Sequence, residues 1–390
     1  MRAGISGQAK DGVQLMQLGL LRESVRAFGQ GLKSNPDDLE CLLGMSRALL
    51  SLNQERAAVP LLQRYLRLKP NQPEVVSHLA KLKAIRGDAK ALDTLRILSE
   101  HEKAEYFEHL NYGAALLELG RLDEAEVALH RARQADPGSP YPLVSLGVIA
   151  QRRGKASDAV EAFRAAADLD ERQAYPLLLI ARSHVASNNF NAALDALNEG
   201  LRRNPKATDL HIERIKLCLA LGATEQAFRA AGLFRQLEPT SPDAAHLHGL
   251  SSMLCGHESL ARESLEAALV LAPTAHEPRL TLARLEQLAK NVARERELLE
   301  EAVTLAPSAS APVIDLSTFY LRHQEVPAAI ALLQEALARD PTNTSLHLNL
   351  ALALTTSDPA RALEHAKVAA TSDQPRIREQ GERLAAKFTN

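Results

Sequence analysis

Apolar residues recur along this chain at helical spacing, in two short runs separated by a turn, and the alternation then repeats. The clearest copy is Leu110 to Pro137. Leu110, Ala114, Leu116 and Leu117 predict one apolar side of a first helix. Gly120 follows, where a helix can end in the left-handed region without steric cost. Leu122 to Arg133 carries a second amphipathic pattern, with Ala125, Ala128, Leu129 and Ala132 on its buried side. Pro137 blocks further helix and biases Asp136 towards extended backbone. Gly113 and Ala125 are small enough to let the two backbones approach. The unit is a helical hairpin.

The hairpin recurs with a period of 34 residues, occasionally 33, from starts near Ile5, Leu39, Pro73, Tyr106, Pro140, Ala174, Thr208, Pro242, His276, Ser310 and Thr344. The eighth place of each period holds Gly12, Ser46, Ala80, Gly113, Gly147, Ala181, Ile215, Gly249, Ala283, Ser317 and Ala351. All but Ile215 are small. Turn places carry Gly19, Asn53, Gly87, Gly120, Gly154, Asn188, Gly222 and Gly256, residues that tolerate a left-handed cap. Many periods close on proline, as at Pro36, Pro137 and Pro273.

With Gly113, Leu116, Gly120, Ala125, Leu129, Ala132 and Pro137 at these intervals, the chain resembles the tetratricopeptide repeat family. Phe28 and Phe163 take the aromatic place of that signature. The resemblance spans residues 5–373 and implies an all-α, right-handed α-solenoid of about eleven helical hairpins. Residues 374–388 place Ile377, Leu384, Ala385 and Phe388 on one side of a further helix, expected to cap the last hairpin.

Departures from the pattern carry their own expectations. The third and eleventh periods are one residue short before Ala91 and Ala362, and Asp358–Pro359 suits a helix start. In the ninth period Lys290 replaces the turn glycine and Glu295 the small contact residue. Glu295 is expected to turn outward and loosen that hairpin.

Composition adjusts this picture modestly. Of 390 residues, 46% are hydrophobic, 24% charged and only 4% aromatic, with no Trp, so the core is built mainly from Ala and Leu. A net charge of −2 argues against bulk attraction to nucleic acid. Cys41, Cys218 and Cys255 are odd in number and widely spaced, which suits a reduced chain. No apolar run is long enough to span a bilayer, and no leader is legible, so the expected compartment is the cytoplasm. Phosphate-loop, dinucleotide, HExxH, GxSxG and paired CxxC motifs are missing from the sequence. The best metal-like group, His246, His248, Cys255 and His257, has two histidines on different sides of one helix and reads as ordinary helix and turn residues. No enzyme activity, cofactor or metal is expected.

The chemistry that remains is recognition. In the family resembled, first helices line the ligand-binding side, which implies that ninth-place residues face a ligand. Arg47, Lys81, Arg182, Lys216 and Arg284 are basic at that place and none is acidic, which favours an acidic segment or a terminal carboxylate. Phe107, Tyr141 and Tyr175 occupy the second place of three consecutive periods, as a stripe to grip an extended peptide or as staples to the preceding hairpin. Asn111, at the sixth place, joins the candidates, although the Lys/Asn clamp and the asparagine ladder known in the family are not matched. The reading is a scaffold or adaptor for a protein or peptide, without membrane insertion. The alternative is a non-catalytic regulatory or substrate-recruiting subunit of a separate transferase or kinase.

Overall fold

The computed structural model describes residues 7–17, 20–52, 54–170 and 173–389, which form 23 α-helices and no strand. The Ile5 period start and the turn positions Gly19 and Asn53 lie outside the described residues. Two compact units divide the chain, Met1–Asn204 and Pro205–Asn390. The first holds α1 (Gly7–Gln17), α2 (Leu21–Ser34), α3 (Leu39–Ser51), α4 (Glu55–Leu68), α5 (Pro73–Ala84), α6 (Ala89–Glu100), α7 (Tyr106–Glu118), α8 (Leu122–Ala135), α9 (Tyr141–Arg152), α10 (Ala156–Leu169), α11 (Tyr175–Ala186) and α12 (Phe190–Arg203). The second holds α13 (Thr208–Ala220), α14 (Thr224–Leu237), α15 (Pro242–Leu254), α16 (Glu258–Leu271), α17 (Glu277–Leu288), α18 (Val292–Leu305), α19 (Ser310–Arg322), α20 (Val326–Arg339), α21 (Thr344–Leu354), α22 (Pro359–Ala369) and α23 (Pro375–Thr389). Within each unit odd and even helices pair as hairpins, and each hairpin packs on the next. No helix among the described residues is long and apolar enough to cross a membrane.

The packing rule is local and repeats. Every eighth-place residue is buried, including Ile215, and no ninth-place residue is. One step along a helix therefore separates the hairpin's interior from its accessible side. The small residues are required by what they face. A Cβ on Gly147 would stand 2.4 Å from the Phe163 ring, and one on Gly12 would stand 2.6 Å from Phe28. At Gly113 it would meet Leu129 at 2.8 Å and the Ala125 carbonyl at 3.3 Å. Phe28, Phe163 and Leu129 are fully buried, so the bulk missing from the first helix is supplied by the second.

Turns follow the same economy of shape. Gly87, Gly120, Gly154, Gly222 and Gly256 have positive φ, and Asn188 joins them at 56°. Lys290 (φ 60°) and Gln324 (φ 62°) adopt the same conformation without a turn residue's usual licence. In the two shortened periods an aspartate starts the second helix. Asp88 accepts from the Ala91 amide at 3.2 Å and Asp358 from the Arg361 amide at 3.1 Å.

The ninth hairpin corrects the sequence reading. Glu295 does not turn outward. It is 3% exposed and accepts a hydrogen bond from Arg322 at the end of α19. Glu286, 1% exposed, is held likewise by Arg262 of α16 and by the Asn291 amide at 3.0 Å. A carboxylate can be buried between helices when a guanidinium from the adjoining hairpin reaches it. The outward-facing expectation counted side-chain length within one hairpin and left out the arginine that the next one supplies.

The C-terminal helix α23 lies on α21 and α22. Ile377, Leu384, Ala385 and Phe388 close over Leu348, Ala351, Ala366 and Ala369. Gly381 fixes the approach, because a Cβ there would stand 2.6 Å from the Ala370 nitrogen.

Candidate partner-binding surface

Helices α3, α5, α7, α9 and α11 present their second, sixth and ninth places on one side, since these positions are three or four apart. The candidates divide by what each touches. Tyr141 is 55% exposed and Tyr175 54%. Both stand at the N-terminal start of their helices, followed by Pro142 and Pro176 in the first turn. Gln173 donates to the Tyr141 hydroxyl at 3.5 Å, a long contact. Between the two tyrosines in sequence, Val144, Ser145 and Val148 of α9 are partly exposed, and Arg182, seven residues after Tyr175 on α11, is exposed.

Phe107 differs from the tyrosines. It is partly buried, with its ring 5.5 Å from His78 of α5 and 5.0 Å from Tyr106. Here the staple description fits better, because the ring fastens the start of α7 to the preceding hairpin. Tyr106 in turn meets the Ser139 hydroxyl at 2.6 Å, and burial pushes its phenol up to about 12. Asn111 is corrected outright. It is 2% exposed and donates to the Ser77 hydroxyl at 2.9 Å, so it ties α7 to α5 instead of facing a ligand.

The basic ninth places are also unequal. Arg47 is paired with Glu74 from the next first helix. In the second unit, Arg284 pairs with Asp315 at 3.1 Å, while Lys216 is exposed. Sequence counting saw no acid at the ninth place and so overstated the bare positive charge. The balancing carboxylates come from the second and sixth places of the following period. Lys81 remains without an ion pair among the described residues, and burial lowers its pKa. One turn before it stands His78, with a side chain 15% exposed and a buried Nδ1 that has no hydrogen-bond partner. Burial, with Lys81 and Arg47 close by, pushes His78 down to about 3. Glu74, His78 and Lys81 stand on one face of α5, four and then three apart.

The histidine group of the second unit is committed to packing. His246 meets the Thr281 hydroxyl and His248 the Ser264 hydroxyl, each at 2.9 Å. His248 and His257 also lie against Phe228, at 5.5 and 5.0 Å.

Known proteins agree with this architecture. Family models described as tetratricopeptide repeat match residues 15–82, 110–176, 178–245 and 315–376. No curated protein sequence matches the chain. Among solved structures, the chain is similar to yeast Tom70, with 13% identity and a TM-score of 0.54 over 98% of this chain and 95% of that one. It is also similar to a tetratricopeptide repeat protein from Parabacteroides merdae, with 17% identity and a TM-score of 0.51 over 64% of this chain and 99% of that one. At such identities the likeness speaks for the fold alone. The repeat models cover more than half of the sequence, and the chain belongs to the tetratricopeptide repeat family.

Proposed function

We propose that this chain is a non-catalytic scaffold that holds an extended protein segment against the first helices of its N-terminal unit, centred on Tyr141, Tyr175 and Arg182. One observation carries the reading. The fully buried aromatics Phe28, Phe163, Phe234 and Phe319 fill the core, whereas Tyr141 and Tyr175 expose 55% and 54% of their surface. Two large rings left open at the same place of adjacent repeats are suited to gripping side chains of a passing segment, each with an apolar body and a polar tip. Arg182, one helical face along from Tyr175, adds a cation that favours an acidic residue in that segment.

The test is capture of partners by the full chain and by a Tyr141→Ala/Tyr175→Ala variant. Both side chains are exposed, so the variant is expected to fold with unchanged far-UV circular dichroism and to lose its principal partner. Retention of every partner would sink the reading. Recovery of a transferase or kinase as the lost partner would favour the regulatory-subunit form of the same role.

A further inference from the structure

We propose that His347 and His365 form a two-imidazole site for a divalent transition-metal ion of tetragonal preference, Cu(II) or Ni(II), which clasps α21 to α22. The site belongs to the last hairpin and is independent of the docking surface on the N-terminal unit.

The geometry starts from a tether. His347 Nε2 stands 3.0 Å from the Pro341 carbonyl oxygen. A carbonyl only accepts, so in the neutral ring Nε2 carries the hydrogen and Nδ1 the lone pair. That Nδ1 lies 2.8 Å from Nδ1 of His365, whose ring centre is 5.0 Å away. With His347 as acceptor, the hydrogen of this contact comes from His365. An imidazole held through its far nitrogen by a backbone carbonyl has the orientation typical of metal-bound histidine. Packing fixes both ring bases, because Leu346, Leu348, Ala362 and Ala366 are buried around them.

A second tethered histidine shows what is particular to this hairpin. His211 also takes the fourth place of its period and donates from Nε2 to the Pro205 carbonyl at 2.8 Å. Its Nδ1 has no hydrogen-bond partner. The second-helix place that holds His365 in the last hairpin holds Ala230 there. The tether recurs, whereas the facing imidazole does not.

The nitrogen separation selects the ion. Two nitrogens about 2.0–2.1 Å from one ion and 2.8 Å from each other subtend an angle of about 85°. That is close to the cis angle of a square-planar or octahedral ion. Tetrahedral zinc spreads its ligands to about 109°, which needs nitrogens roughly 3.3 Å apart. Nitrogen donors near a right angle suit Cu(II) and Ni(II).

Binding balances without a further reactant. Two waters leave the ion and both Nδ1 lone pairs replace them. The hydrogen on His365 Nδ1 moves through water to Nε2 of the same ring, so two neutral imidazoles bind with no net proton release. His365 is partly exposed, which admits the water. No cluster of three or more His, Cys, Asp or Glu stands among the described residues, so water keeps the other coordination positions. The Asp340 carboxylate near His347 is already engaged by the Thr342 hydroxyl and the Asn343 amide, at 3.1 and 3.0 Å. Arg361 and Glu364 act on His365 with opposite signs.

The experiment titrates the metal-free full chain with nickel chloride by calorimetry. His347→Gln and His365→Gln are each expected to weaken binding about tenfold or more, because one ligand of a chelating pair is lost. His130→Gln, exposed on α8, should leave binding unchanged. Undiminished binding in both pair variants, with their circular dichroism intact, overturns the proposal. So does equal weakening by His130→Gln, which would mean scattered surface imidazoles. Electron spin echo modulation of the wild-type chain with one equivalent of Cu(II) should show two imidazole nitrogens. A single nitrogen overturns the site whatever the variants do. Nickel at about ten times its Kd should also slow the opening exchange of α21 and α22 about tenfold, leaving α7 and α8 unchanged. Uniform protection, or none, defeats the clasp.

Discussion

The fourth and ninth hairpins reach one conformation by different means. In α7–α8 the contact is apolar and tight, with Gly113 under Leu129 beside Ala125, and the turn is made by Gly120 at φ 77°. In α17–α18 the small contact residue is replaced by the buried carboxylate of Glu295 and the turn glycine by Lys290 at φ 60°. The second helix is 14 residues long in both. Apolar positions hold the ninth hairpin to the pattern, since Leu280, Leu282, Leu285, Leu298, Leu299 and Ala302 still form one core cluster. Deviations are absorbed one at a time, the carboxylate by an arginine and the turn by strain. A repeat tolerates an exception when its neighbour completes it.

The largest way to break the comparison is to remove that neighbour's contribution. Arg322→Met leaves Glu295 buried and unpaired, which costs about 3–5 kcal/mol. Opening of repeat arrays is local, so the loss should appear as faster amide exchange in α17, α18 and α19 while α7 and α8 are unchanged. Adding Glu295→Leu to Arg322→Met should restore most of the protection, because an apolar pair replaces a lone charge. Unchanged exchange in Arg322→Met alone would mean that the ion pair holds nothing. In the fourth hairpin there is no equivalent to remove, and that contrast is the content of the test.

How much of this was legible in the sequence depends on whether the cause was local. The alternation of buried eighth and accessible ninth places was readable because helical periodicity decides it within a few residues. Gly113, Gly147 and Gly249 were readable as close approaches for the same reason, although the rings and leucines that fill the space had to be seen. Glu295 was misread because its partner lies 27 residues away in another hairpin. Asn111 was misread for a similar cause, since its partner Ser77 is 34 residues back, at the fifth place of the preceding period, and a place number does not tell which side of a helix a neighbour covers. Phe107, Tyr141 and Tyr175 share a place and a chemical class, yet only Phe107 has a histidine beneath it. Period and residue type are local properties; burial of a polar group is a property of two or three hairpins together.

A smaller effect sharpens the apolar side of the comparison. Gly113→Ala would put a Cβ 2.8 Å from Leu129 and 3.3 Å from the Ala125 carbonyl. Overpacking of this kind costs about 1–3 kcal/mol. The ninth hairpin already carries a methyl at the matching place, Ala283, at 1% exposure. Gly113→Ala should therefore loosen α7–α8 by exchange, and Ala283→Gly should loosen α17–α18 by the backbone entropy of glycine, about 1 kcal/mol, together with the loss of one buried methyl, about 1 kcal/mol. Equal tolerance of both changes would show that the close contact in the fourth hairpin is not what fixes it.

The smallest effect concerns the turns, and it has the opposite sign. A side chain at positive φ is strained by roughly 1 kcal/mol relative to glycine, and Lys290 sits at 60°. Lys290→Gly should stabilise α17–α18 by about that amount, less the extra freedom that glycine gives the unfolded chain. Gly120→Lys should destabilise α7–α8 by a similar amount, since no Cβ contact stands within 4 Å of Gly120 and backbone conformation is the sole penalty there. Paired exchange measurements on both variants read the two changes against each other. If Lys290→Gly gives no gain, the lysine's conformation is being stabilised by something other than the turn. The ninth hairpin would then be completed by its neighbours at the turn as well as at Glu295.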